Sequence, residues 1–212
     1  MNAYLDIHYG PEAMRHLIHA DRALAPYIEK YGRVSAKRDP DIFAALVSGI
    51  ISDGITASSA ALTESRMMAL CGDFSVVNIL KSDAVRMRET GLSQIKIATI
   101  RDLAENIAAK KLDLSDTLHL DDDEYVAFLA GLKGVSRHAA EMTAIFGEGR
   151  LDVFLYGDSV MQQSVMKVHG YTSYSQERYD RLKKLYSPYG TIASLYYFAI
   201  AEELPRGGKR KG

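Results

Sequence analysis

The chain has 212 residues and is close to neutral, with 26 Lys+Arg against 27 Asp+Glu. A composition of 47% hydrophobic and 25% charged residues excludes a disordered chain, and the single cysteine, Cys71, excludes an internal disulfide, a four-thiolate zinc site or an iron–sulfur cluster within one chain. No run of about 18 apolar residues marks a membrane span, and Asp6, Pro11 and Glu12 interrupt the N-terminus too early for a secretory signal. Apolar residues recur instead at spacings of three and four, which predicts helix after helix. Pro11 opens the first, and Pro26 kinks it or starts the next. Asp39-Pro40 predicts a helix start, with a side-chain cap and a proline at the first helical position. Phe43, Leu46, Val47, Ile50 and Ile51 form the stripe of that helix. Ile55, Ala60, Ala61 and Leu62 predict another, running to about Leu70. Gly91-Leu92-Ser93 reads as a stop followed by a cap, and Ile95, Ile97, Ile100, Leu103, Ala104 and Ile107 mark a long helix to near Lys110. Asp121 caps the next, with Tyr125, Phe128 and Leu129 on its apolar face. Further helices fit 137–146, 159–169, 177–186 and 189–202. The end of the chain, 206–212, reads as a basic flexible tail carrying Arg206, Lys209, Arg210 and Lys211. Without those four cations the chain is acidic, and composition by itself argues against a nucleic-acid binder, which usually shows a basic excess. The expected class is all-α with short connections.

One turn stands apart. Leu132-Lys133-Gly134-Val135-Ser136 joins the helix that ends near Gly131 to the one that begins near Arg137. A glycine between two helices most often just ends the first. The other reading is a helix–hairpin–helix, whose tight turn exposes backbone N–H groups to a phosphate and adds the positive end of the following helix. Such a grip comes from backbone and needs little net charge. Twenty-four residues after Gly134 stands Asp158, with Gly149-Arg150-Leu151-Asp152-Val153-Phe154 between them.

This order of pieces resembles the helix–hairpin–helix DNA glycosylase superfamily, specifically its 3-methyladenine (alkylpurine) branch. The resemblance runs from Asp39 to Tyr197, about three quarters of the chain. Its pieces are Asp39-Pro40 with Leu46-Val47 and Ile50-Ile51-Ser52, then Gly91-Leu92-Ser93 with Lys96. Gly134-Val135 with Ala140-Glu141-Met142, and Ser187-Pro188-Tyr189 with Tyr196-Tyr197, complete it. It implies two helical subdomains, 38–146 with the helix–hairpin–helix and 1–37 plus 147–205, and a lesion cleft between them. It implies removal of alkylated purines from damaged double-stranded DNA by a monomeric, non-membrane protein that works inside the cell with the DNA, in base excision repair. Such enzymes rotate the base out of the duplex and stabilise an oxocarbenium-like transition state with a carboxylate. Asp158 stands at the matching place, and it also suits a helix N-cap; the two roles are compatible. Gly134, Val135, Ser136, Arg137 and His138 match the DNA-gripping hairpin, and Asp53 and Gly54 the segment that enters the duplex. The lyase branch carries a hairpin lysine for Schiff-base chemistry; His138 stands there instead, so a monofunctional hydrolase is implied. No cofactor is implied except a sodium or potassium ion on hairpin carbonyls, by position those of Ala130, Leu132 and Val135.

The chain departs from the family where a lesion is recognised. Ser52-Asp53-Gly54 replaces a common Ser-Gln-Gln whose last side chain plugs the gap left by a flipped base. His138 replaces a common Trp, Ser136 the second hairpin glycine, Tyr156-Gly157 a Pro-Asp, and Gly190 an Arg. Gly54 either lacks the plug or serves a tight turn. These changes leave two rivals to excision: a protein that binds damaged or abasic DNA without cutting, and a helical interaction protein without DNA binding.

Overall fold

The computed structural model describes residues 4–115, 117 and 119–203. In chain order the elements are β1 (Leu5–Asp6), α1 (Pro11–Ala20), α2 (Ala25–Tyr31), β2 (Lys37–Arg38), α3 (Ile42–Ser52), α4 (Ala57–Cys71), α5 (Val76–Lys81), α6 (Ala84–Glu89), α7 (Gln94–Ala108), α8 (Asp122–Ala130), α9 (Arg137–Thr143), α10 (Ser159–His169), α11 (Gln176–Tyr186) and α12 (Gly190–Glu202). The class is all-α; β1 and β2 make one antiparallel pair, Leu5 facing Arg38, too short to show in a sequence pattern. The basic tail expected at 206–212 lies outside the described residues.

Side-chain caps start most of these helices. Ser93 accepts the Lys96 N–H, and Asp121 and Glu124 form a reciprocal capping box. Each such cap satisfies a donor that a helix end leaves bare, and is worth about 1 kcal/mol. At the start of α3 the expected cap is corrected. Asp41, not Asp39, accepts the Ala44 N–H, while the Asp39 carboxylate accepts the N–H of Asp41. Both acids favour local bonds, and Pro40 leaves the second at the helix entrance. Helices α5 and α6, capped by Ser75 and Asp83, were not anticipated, because six residues are too short for a periodic stripe. The helix expected over 137–146 changes at Ala144 into a wider, π-type turn that ends at Gly149.

The chain divides into two units. The first joins the N-terminal residues through Ile7 to Lys37–Arg150. The second joins His8–Ala36 to the residues from Leu151 on. In this division β1 pairs with β2 and falls with the first unit, whereas the sequence-based division set all of 1–37 with the second.

In the first unit α3 is apolar on nearly all sides and is the core helix, with Leu46 and Val47 fully buried, each side chain contributing roughly 1.5–3 kcal/mol. It packs on α9 so closely that a methyl at Gly49 would lie 2.8 Å from the Ala139 carbonyl oxygen. Arg150 holds the exit of the unit: its Nη1 donates to the Leu120 carbonyl at 2.9 Å and to Asp122 at 2.8 Å, and its guanidinium lies over the Tyr125 ring.

The second unit is built round α12, with a buried polar cluster beside it. The Tyr186 hydroxyl donates to Asp21 Oδ2 at 2.5 Å, lies 2.6 Å from the Tyr197 hydroxyl, and the latter meets His169 Nε2 at 2.9 Å. Burial holds the His169 imidazole below its ordinary value of 6.5, the Asp21 carboxylate opposing this only in part. The unfolded chain therefore takes up this proton first as the pH falls. The contribution is complete above about pH 6.5 and is lost below it. The melting temperature is expected to hold steady above neutrality and to drop as the pH falls below 6.5. His169→Asn should flatten that drop; an equally steep decline in the variant would assign it elsewhere.

Candidate nucleic-acid interface

The turn between α8 and α9 is a hairpin closed by the Val135 N–H donating to the Leu132 carbonyl at 3.0 Å. Gly134 is its third residue, at φ +81°, a conformation that only glycine adopts cheaply. Ser136 then caps α9 by accepting the Ala139 N–H. The N–H groups of Gly134 and Ser136 have no protein acceptor among the described residues. Val135 offers less than the sequence suggested: its N–H is used inside the turn and its side chain is buried. Arg137 is half exposed, with Nε on Glu141 Oε1 at 2.8 Å, so its charge is shared with a buried carboxylate. His138 is half-buried, and its Nδ1 has no hydrogen-bond partner among the described residues.

The resemblance named three hairpin carbonyls for a monovalent cation, those of Ala130, Leu132 and Val135. Those of Ala130 and Val135 accept no hydrogen bond among the described residues, and that of Leu132 keeps one lone pair beyond its bond to Val135.

The segment after α3 is also a tight turn. The Ile55 N–H reaches back to the Ser52 carbonyl at 3.4 Å. Asp53 has φ −59° and ψ 127°, and Gly54 has φ +69°. This is a type II turn, whose third position calls for glycine. Nothing lies within 4 Å of where a Gly54 Cβ would stand, so backbone conformation, not crowding, selects the residue.

Lys96 has a role that sequence reasoning missed. Its ammonium donates to the Ile51 carbonyl at 2.8 Å and the Asp53 carbonyl at 2.6 Å, at the bare C-terminal end of α3. Partial burial lowers its pKa from the ordinary lysine value, and the Asp53 charge opposes this. One helical turn further along α7, Thr99 packs against the hairpin: a Cβ on Gly134 would stand 2.2 Å from its Oγ1. A single helix thus braces both turns. The sequence showed Lys96 at a family-like spacing, but its acceptors lie more than forty residues away and carry no side-chain signature.

In the second unit Asp158 caps α10. One carboxylate oxygen accepts the Met161 N–H at 2.7 Å, and the other has no protein partner among the described residues. The residue is half-buried, and Gln162 fixes the approach by donating to the Tyr156 carbonyl at 2.7 Å.

A groove of about 590 Å³ in the first unit lies elsewhere. It is lined by Asp39, Asp41, Glu64 and Asp73 at the N-terminal end of α3. Four carboxylates would repel a phosphate backbone. Among the described residues no group of three or more His, Cys, Asp and Glu could hold a metal ion.

No family model matches the chain. It is similar to the alkylbase DNA glycosidase-like protein mag2 of Schizosaccharomyces pombe, 28% identical over 200 residues that cover 89% of this chain and 92% of that one. Among solved structures it is similar to the 3-methyladenine DNA glycosylase Mag1 of the same yeast, in complex with abasic DNA. The TM-score is 0.82 and the identity 21%, over 93% of this chain and all of that one. It is also similar to a DNA-3-methyladenine glycosidase of Bacillus halodurans, with a TM-score of 0.73 and 26% identity over 95% and 93% of the two chains.

Proposed function

We infer that the chain belongs to the helix–hairpin–helix DNA glycosylase superfamily, on its 3-methyladenine branch, as its similarity to the relatives above supports, and that it recognises damaged double-stranded DNA and hydrolyses the N-glycosidic bond of alkylated purines. The observation that carries the chemistry is Asp158. Its cap holds one carboxylate oxygen on the Met161 N–H and leaves the other unspent. An alkylated purine is already positively charged, so the bond from C1′ to the base breaks with its electron pair going to the base. The sugar then bears oxocarbenium charge, and a fixed carboxylate stabilises it without reorganising. Water adds to C1′, and its proton passes to Asp158 or to solvent. His138 cannot form a Schiff base, so no strand cleavage accompanies the reaction.

The hairpin N–H groups of Gly134 and Ser136 bind backbone phosphate in this reading. Ala130, Leu132 and Val135 would hold a sodium or potassium ion through their carbonyls, which supplies positive charge beside that phosphate. Arg137 and His138 flank the contact. No helix among the described residues is long and apolar enough to cross a membrane. The proposed place of work is with the cell's DNA, as a monomer.

Duplexes that carry 3-methyladenine, 7-methylguanine, hypoxanthine or an abasic site test this reading. Binding is measured at rising salt, and base release is measured beside it. Binding is expected to weaken steeply with salt, since each neutralised phosphate releases counterions. Release is expected to be slow and best from lesions whose stacking is already weak. Salt-independent or absent DNA binding would overturn the reading. A second reading, binding of abasic or damaged DNA without excision, is favoured by Gly54, which puts no side chain into the duplex; tight binding with no base release would select it.

The turn at Gly54 separates two repairs of that segment. Asp53→Gln keeps the turn and removes an acid, so DNA binding at low salt is expected to tighten. Adding Gly54→Gln forces a side chain to φ +69°, at a cost of roughly 1 kcal/mol or more. The double variant is expected to melt lower than Asp53→Gln. A double variant that melts no lower, and excises faster, would make the absent side chain the limiting defect.

A further inference from the structure

The segment that leads to Asp158 is an irregular strap, with no sheet partner among the described residues. Side chains from three helices of the second unit meet its backbone groups instead. The Val153 N–H donates to Thr191 Oγ1 at 3.1 Å and the Leu155 N–H to Ser194 Oγ at 3.2 Å, both on α12. The Phe154 carbonyl accepts the Tyr179 hydroxyl of α11 at 2.9 Å. Thr191, Ser194 and Tyr179 are buried, so the strap is fixed as far as Leu155. Beyond that point burial falls away: Tyr156 and Asp158 are half-buried and Gly157 is exposed. Glycine is the softest link a backbone can have, and here it stands directly before Asp158.

Gln162 spans that link. Its Nε2 donates to the Tyr156 carbonyl at 2.7 Å, while its backbone N–H donates to the Asp158 carbonyl at 3.0 Å. Helix side chains tilt toward the N-terminus, so a glutamine one turn into α10 reaches back past the cap to the far side of Gly157. The result is a closed ring, from Tyr156 through Gly157 and Asp158 into α10 and back. We propose that Gln162 is a positioning residue for Asp158, holding the free carboxylate oxygen at the place where the charge on the sugar develops. This deepens the damaged-DNA reading and rests on its assignment of Asp158. The cap bond to the Met161 N–H fixes one oxygen on the helix, but it leaves the strap free to pivot at Gly157. The Gln162 bond removes the pivot. A carboxylate stabilises developing charge without reorganising only while its carrier is held in place. The target of the bond is a carbonyl, so the side chain at 162 must be a donor.

The test uses Gln162→Met, which keeps the length and loses the donor, and Gln162→Glu. Gln163→Met, at the exposed neighbouring position, is the control. One readout is single-turnover release of 3-methyladenine at saturating protein. The other needs no turnover: the preference for a duplex with a cationic pyrrolidine in place of one sugar over the same duplex with a neutral tetrahydrofuran there. That preference reports the aim of the carboxylate. Gln162→Met is expected to slow release by about ten- to hundredfold and to lose most of the charge preference. Its affinity for the neutral duplex and its melting temperature should stay nearly unchanged. Gln162→Glu should behave like it at about pH 8 and recover as the pH falls to about 5, because a carboxylic acid O–H donates to a carbonyl and a carboxylate does not. Each value is divided by that of the unaltered protein at the same pH, which removes any titration of Asp158, the charged group four residues away. Gln163→Met should change neither readout. A folded Gln162→Met with full release and full charge preference would overturn the positioning role, and so would a Gln162→Glu that stays impaired at low pH. An unaltered protein without charge preference, and indifferent to Asp158→Asn, would overturn the assignment of Asp158 and this role with it.

Discussion

Asp158→Asn is expected to slow base release by about 10²- to 10⁴-fold while leaving the melting temperature nearly unchanged. The asparagine side-chain oxygen can still accept the Met161 N–H, now 2.7 Å from a carboxylate oxygen, so the helix cap survives. Only the negative charge is lost, and that charge is what a developing oxocarbenium ion needs. Asp158→Ala separates the two roles of the residue. It removes both, so the protein should also melt lower, by about 1 kcal/mol of stability. Single-turnover base release beside a thermal melt reads both effects. Release that persists undiminished in Asp158→Asn would move the catalytic role to another group.

Gly134→Ala is expected to weaken binding to lesion-containing duplexes by about tenfold or more, through loss of a shaped backbone turn rather than of any side chain. Two costs coincide there. The backbone sits at φ +81°, and an added methyl would stand 2.2 Å from Thr99 Oγ1 and 3.0 Å from its Cγ2. Thr99 is buried and branched at Cβ, so it cannot swing away cheaply. The hairpin must shift, at roughly 1–3 kcal/mol, and its free N–H groups lose their aim. The salt slope of binding is expected to become shallower by about one phosphate contact. Circular dichroism at the assay temperature checks that the variant is folded. Unaltered affinity in a folded variant would remove the hairpin from the DNA surface.

Much of the fold was written in local chemistry. Ser93, Asp121 and Asp158 each stand where a stripe of apolar residues begins, and each caps a helix. The failure at Asp39 has the same origin, since two acids flank one proline and only the second meets the helix N–H groups. Ile55 and Leu62 carried apolar periodicity yet face solvent, because a stripe says that a face is apolar and not what covers it. Of the candidate site, the positive φ at Gly134 and Gly54 was legible as glycine in a turn. The brace between those turns was not. Lys96 bonds to backbone carbonyls, and every residue has one, so no pattern of side chains announces the contact. The cluster of Asp21, His169, Tyr186 and Tyr197 was hidden for a related reason, since its members come from helices far apart in the chain.

That distance has a consequence for how the protein is made. The chain enters the second unit at His8, leaves it at Ala36 and returns only at Leu151. Helices α1 and α2 find their partners in α11 and α12, and the Asp21–Tyr186 bond spans 165 residues. Closing so long a loop adds little to the equilibrium cost, which grows only with the logarithm of length, but it delays the event. On the ribosome the whole of the first unit emerges before α11 and α12 exist, and domains tend to fold as they appear. Until then Leu17, Leu24 and Ile28, fully buried in the finished protein, have nothing to cover them. The nascent chain therefore carries a bare apolar face for as long as the first unit takes to be synthesised, and that interval is when chaperones would find it.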